Sequence, residues 1–126
     1  MSIIVDFLKF LFKGKTVSGK TKRFIDAAIS KANEALRTND SHLKSSSVTQ
    51  LDSMLGMALN DIYGKNTVSE NLKKAKNRFA SDLYEKAWKS HKLRNTIIHE
   101  PGKTIDSRFL DYAIRDFAKV LNKLRN

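Results

Sequence analysis

Not one cysteine occurs in the 126 residues. That excludes a disulfide framework and a thiolate metal site, and it fits a reducing compartment. Proline occurs once and glycine five times, so little interrupts the helical recurrence of apolar residues along most of the chain. His and carboxylate residues do not cluster at metal-ligand spacing, so neither a metal nor a cofactor is expected. Long apolar runs are missing as well. Residues 3–12, IIVDFLKFLF, make only ten positions, too few to span a bilayer, and no signal-cleavage pattern follows them. Acidic residues are scarce beside basic ones. The 24 Lys and Arg against 13 Asp and Glu leave a net charge of +11, which draws a domain toward polyanions, whether nucleic acid or an anionic membrane surface. Hydrophobic content of 40% with 29% charged residues describes a globular domain rather than a disordered tail. The length suits one domain with a core of its own.

Near the start, Ile3, Ile4, Phe7, Leu8 and Leu11 share one helical face, followed by Lys13, Lys15, Lys20, Lys22 and Arg23. The pattern reads either as an interfacial membrane helix with a polybasic collar or as a helix docked on its own domain or a second copy. Soluble domains use such faces in the second way more often. GKTVSGKT, residues 14–21, satisfies the phosphate-loop pattern, but that loop needs a preceding strand and an acidic residue from a second strand. No second strand can be read downstream, so the segment is expected to be a flexible basic linker. The division is therefore an N-terminal amphipathic segment and linker over 1–19 and a helical domain over 20–126.

Within that domain a first helix is expected over about 20–37, with Phe24, Ile25, Ala28, Ile29, Ala32 and Leu36 inward. Residues 39–47 are polar and serine-rich and read as a loop, in which His42 stands alone with no specific role. A second helix spans about 48–63, burying Leu51, Met54, Leu55, Ala58, Leu59 and Ile62, with Gly64 suited to its C-terminal cap. Thr67 and Glu70 form a capping box for the next helix. That helix either runs unbroken to His99 or breaks near Ala80, with Ser81 or Asp82 recapping. Pro101 disfavours helix at Glu100. Asp106 or Ser107 caps a last helix with Phe109, Leu110, Ala113, Ile114, Phe117 and Leu121 inward. The fold class that follows is an all-α bundle of four to five helices with a short N-terminal amphipathic helix.

The segment HKLRNTIIHE, residues 91–100, carries polar groups on an apolar helical side. Leu83, Tyr84, Ala87, Trp88, Ile97 and Ile98 line one face, and at about 100° per residue Arg94 falls near the middle of that arc. His91, Asn95 and His99 run along one edge, and Asn95 and His99 are stacked neighbours. A guanidinium inside an apolar face is costly unless something pairs with it. Two readings stay open. Arg94 ties helices together through a carboxylate such as Asp111 or Asp116, with Asn95 and His99 satisfying backbone groups, or the polar set acts on a ligand. An arginine fork suits a phosphate, and an imidazole suits proton transfer.

Arg94 and Asn95, with His99 closing the helix after four further positions, resemble the signature of HEPN domains. YEKAWKSHKLRNTIIHEPG, followed by a turn and a second amphipathic helix, resembles the C-terminal half of that fold. The resemblance covers about residues 20–126 as a helical pattern, and its specific part is about 82–100. It implies metal-independent RNA cleavage in which Arg94 and His99 are catalytic and Asn95 orients them. It also implies an active cleft formed where two copies meet, hence a homodimer. Small members act as toxins or defence factors, some with a nucleotidyltransferase-type antitoxin protein as partner, and a cytoplasmic location would follow. RNA supplies its own nucleophile, so such a site needs only a proton acceptor, a proton donor and a charge stabiliser. Lys73, Lys74 and Lys76 are the candidate RNA-binding residues. His91 and Glu100 lie outside the motif and receive no role beyond proximity. The alternatives are a non-catalytic HEPN-like module that binds RNA, a nucleotide or a partner protein, and a membrane-apposed adaptor using residues 1–23.

Overall fold

The computed structural model describes residues 16–126, so the expected N-terminal amphipathic helix, whether docked or lipid-facing, lies outside the described residues. Five α-helices follow one another: α1 Gly19–Leu36, α2 Ser41–Tyr63, α3 Val68–Lys74, α4 Ser81–His99 and α5 Ser107–Arg125. Among the described residues there is no strand, and no helix is long and apolar enough to cross a membrane. The chain is an all-α bundle. α2 and α5 form its central pair, and α1 and α4 each pack against both.

α5 shows why the pairing holds. Leu110, Ile114, Phe117 and Leu121 recur three to four residues apart and are essentially sealed from water. They meet Val48, Leu51, Leu55 and Leu59 of α2 in one continuous core. Each such side chain contributes roughly 1.5–3 kcal/mol by leaving water. Not every residue expected inside is there. Phe24 is 44% and Phe109 50% exposed, because each sits at the margin of its helix's apolar stripe.

The serine-rich stretch read as a loop is helix. α2 starts at Ser41, capped by Asp40, whose side chain accepts from the Leu43 amide at 3.1 Å. The hydroxyls that would compete with helix elsewhere are satisfied within it. Ser47 Oγ donates to the Leu43 carbonyl at 3.0 Å, and Thr49 Oγ1 to that of Ser45 at 3.1 Å. His42 therefore lies on the first turn of α2. At the other end Gly64 caps the helix with φ of 94°, a left-handed conformation that glycine adopts without a Cβ penalty.

The region after Thr67 is broken rather than continuous. Thr67 Oγ1 accepts from the Glu70 amide at 3.1 Å, the expected cap, and donates to the Glu70 carboxylate at 2.9 Å, where a full capping box would use the Thr67 amide. α3 then ends, a 3₁₀ turn covers Lys76–Arg78, and α4 begins at Ser81 after Ala80, with no side-chain cap. Neither Ser81 nor Asp82 recaps it. Asp106 caps α5 by accepting from the Arg108 amide at 2.9 Å.

Val17 is buried in the core, and Ser18 caps α1 by accepting from the Thr21 amide. Thr21 is itself buried, so residues 16–21 form a helix start packed on the bundle, not a phosphate cradle. The Ser18 amide donates to Asp61 Oδ2 at 3.1 Å. Burial raises the Asp61 carboxyl, but hydrogen bonds from Thr21 and Ser18 together outweigh it and hold it below its ordinary value. The sign follows from linkage. A depressed carboxyl stabilises the fold above its ordinary range, and this is lost as pH falls through the folded value.

Lys44 of α2 is 3% exposed, and its ammonium pairs with Asp111 of α5 at 2.9 Å and reaches Ser107 Oγ at 3.3 Å. Breaking a buried pair strands a charge. Asp111→Ala is therefore expected to lower unfolding stability by about 3 kcal/mol, measured by urea denaturation. Adding Lys44→Met should recover most of the loss. A single-variant cost below about 1 kcal/mol would show that water already solvates the pair.

Candidate functional site

Arg94 does not reach Asp111 or Asp116. Its partner is Asp52, on α2. The Asp52 side chain is 3% exposed, and its Oδ2 lies 3.4 Å from Arg94 Nε while its Oδ1 lies 2.8 Å from His91 Nδ1. One carboxylate thus joins two residues of α4 and locks α2 against it. Sequence reasoning missed Asp52, yet a signal was present. It sits four residues after Val48 and three before Leu55, inside the apolar face of α2.

His91 is also more than a neighbour. It is buried, and the carboxylate at Nδ1 selects the tautomer carrying its proton there. In the neutral ring Nε2 then accepts, with Ser69 Oγ and Asn95 Nδ2 each at 3.4 Å. Trp88 packs edge-on against the imidazole, centroids 6.3 Å apart. Trp88, Tyr84 and Phe79 continue this chain of ring contacts back along α4 to the residues just before it. The order Ser69, His91, Asp52 is that of a nucleophile, a base and an orienting acid. The Asn95 amide, however, shares the same imidazole nitrogen, and the seryl contact is long.

Arg94 is half-buried. Its Nη1 donates to Asn95 Oδ1 at 3.0 Å, so Asn95 bridges Arg94 and His91. The Arg94 Nε is buried, and its N–H has no aligned hydrogen-bond acceptor, so the contact with Asp52 is an ion pair with slack in it. Nη2 makes no hydrogen bond among the described residues. A guanidinium held at one edge and free of hydrogen bonds at another, among the described residues, has the chemistry to take an anion.

His99 is the last residue of α4 and is exposed. It stands one turn beyond Asn95 and makes no hydrogen bond or ion pair among the described residues. The structure therefore gathers Arg94, Asn95, His91 and Asp52, and within one chain leaves His99 outside that network. Arg94 and His99 are five residues apart, about 140° around the helix axis. Their side chains diverge unless another molecule closes the angle. Lys73 and Lys74 end α3 and Lys76 opens the 3₁₀ turn, all three exposed. Ile98, expected on the apolar face, is 45% exposed beside His99.

A cavity of about 360 Å³ lies between the start of α2 and the turn after α4, lined in part by His42, Ile97, Glu100 and Ile105. His42, expected to be idle in a loop, faces it together with Glu100. Among the described residues no three His, Asp or Glu side chains cluster closely enough to hold a metal ion. No protein-family model, curated protein or solved structure matches the chain.

The anchoring role of Asp52 has a measurable consequence. Asp52→Ala should cost about 3–5 kcal/mol in urea denaturation, since it strands Arg94 and the imidazole proton together. Asp52→Asn and Arg94→Gln should couple by more than about 0.5 kcal/mol in a double-mutant cycle. Strict additivity would mean that the two side chains do not hold one another.

Proposed function

We propose that this chain is a HEPN-type endoribonuclease that cleaves RNA without a metal, acting as a homodimer. The observation that carries the reading is Arg94, a guanidinium fixed by a buried carboxylate and by Asn95, five residues before the exposed imidazole of His99. The net charge of +11 supports a polyanionic substrate. Lys73, Lys74 and Lys76 are assigned to the RNA backbone.

The chemistry follows from the groups. A base removes the proton of the ribose 2′-hydroxyl, whose oxygen attacks the adjacent phosphorus. The bond from phosphorus to the 5′-oxygen breaks, and that oxygen takes a proton from an acid. Arg94 stabilises the charge that builds on the non-bridging oxygens. One His99 cannot serve as base and acid at once. The divergence of Arg94 and His99 on one helix also argues for two copies, whose imidazoles share the two roles across a common cleft. In this assignment Asp52 and His91 are positioning residues. They hold Arg94 and Asn95 and touch no substrate.

Purified protein should cleave single-stranded RNA in excess EDTA, yielding 2′,3′-cyclic phosphate ends or their hydrolysis products, and should leave DNA intact. Arg94→Ala and His99→Ala should each lower the rate by at least about 100-fold while keeping the helical circular-dichroism spectrum. Light scattering should report a dimer. Wild-type rates for His99→Ala, or activity abolished by EDTA, would remove this mechanism, and no cleavage at all would leave a module that binds without cutting.

A further inference from the structure

A cavity of about 500 Å³ opens between α4 and α5, within the roughly 300–1,000 Å³ usual for ligand pockets. Its walls differ in kind. α4 contributes Lys86, Lys89 and Lys92, and α5 contributes Phe109, Tyr112 and Asp116. The lysines are spaced three apart, a row along about 9 Å of helix, and none forms a direct ion pair among the described residues. At about 100° per residue, Lys89 and Lys92 lie well around the helix from Arg94, and Lys86 lies about 80° from it.

The two rings are the unexplained part. Phe109 and Tyr112 are 50% and 56% exposed, and they meet edge to face at 6.3 Å and 69°. Large apolar rings left in water beside a lysine row are covered by nothing in the described chain. A second copy here would bring another lysine row to an already basic patch, adding like charge rather than neutralising it. A polyanion satisfies the lysines, and a planar heterocycle satisfies the rings. Duplex nucleic acid keeps its bases stacked within itself, so the ligand must carry unpaired bases. Asp116 is half-buried among Lys86, Lys89 and Lys119. Its charge keeps phosphates at the lysine rim and its oxygens can accept N–H groups from a base edge.

We propose that the groove between α4 and α5 binds single-stranded nucleic acid, with a base packed on Phe109 and Tyr112 and the flanking phosphates on Lys86, Lys89 and Lys92. The lining includes neither Arg94 nor His99, and the proposal stands whether or not the chain cuts RNA.

The test uses DNA, which lacks the 2′-hydroxyl, so cleavage cannot intervene. Fluorescence anisotropy of a labelled strand of about 12 nucleotides should show binding by the full chain. Phe109→Ala and Tyr112→Ala should each weaken it by about 5- to 100-fold, the loss of one stacked base. A strand of the same length with abasic sites should bind wild type as weakly as those variants bind the normal strand. Lys86→Gln, Lys89→Gln and Lys92→Gln together should lower the slope of log affinity against log salt by about 2. Both rings are half in water, so the variants should fold. Should either alanine variant lose its melting transition, Phe109→Leu and Tyr112→Leu keep apolar bulk without a stacking face and must show the same loss. Equal affinity for abasic and normal strands, or wild-type affinity in the ring variants, overturns the proposal. So does a Tyr112→Ala variant that dissociates a dimer with strand affinity unchanged, since a second copy would then occupy the groove. Loss of RNA cleavage on changing Arg94 or His99 leaves every arm of this test readable.

Discussion

The carboxylate of Asp52 is almost completely removed from water, and a buried charge persists only where it is paired and hydrogen-bonded. Its two oxygens divide between His91 and Arg94, three residues apart on another helix. That division fixes more than a contact. It sets the rotation of α4 against α2, selects the imidazole tautomer and determines which nitrogens of Arg94 remain for a ligand. Without it, an arginine in the apolar face of α4 would have to turn out to solvent, carrying Asn95 with it. Packing and the proposed site meet in this one side chain.

α2 carries a second buried charge, Lys44, two turns before Asp52. Lys44 faces Asp111 on α5, and Asp52 faces α4. The central helix is thus keyed to two neighbours by charges of opposite sign at different heights. A one-residue slip of α2 would bring each charge against apolar side chains, at a cost of several kcal/mol per stranded ion. Apolar burial supplies most of the attraction between these helices, while the two charges specify their register. Arg125 adds a surface clasp, with Nε and Nη2 on the two oxygens of Asp26 at 2.7 and 2.8 Å.

Helix periodicity made most of the bundle legible. The inner faces of α2 and α5 are where the recurrence of leucine and isoleucine puts them, and Gly64, Thr67 and Asp106 cap as their chemistry dictates. The failures have physical causes. The serine run at the start of α2 was unreadable as helix because those hydroxyls bond either to turns or to carbonyls four residues back, and only packing decides. The two phenylalanines at the stripe margins looked apolar enough to be buried, since periodicity locates a face but not its edges. The site was half legible. Arg94 announced itself as a misfit and Asn95 as its neighbour, but the partner lies 42 residues earlier, counting from 52 to 94. Only the fold brings them together.

Trp88 is the chain's only tryptophan, and the structure sets it against His91, one residue away from the Asp52–Arg94 ion pair. Intrinsic emission therefore arises from a single place, and that place is the anchor itself. A shift in indole fluorescence reads a rearrangement of this cluster directly, without a label. The molecule carries its own optical probe of whether Arg94 is held or released.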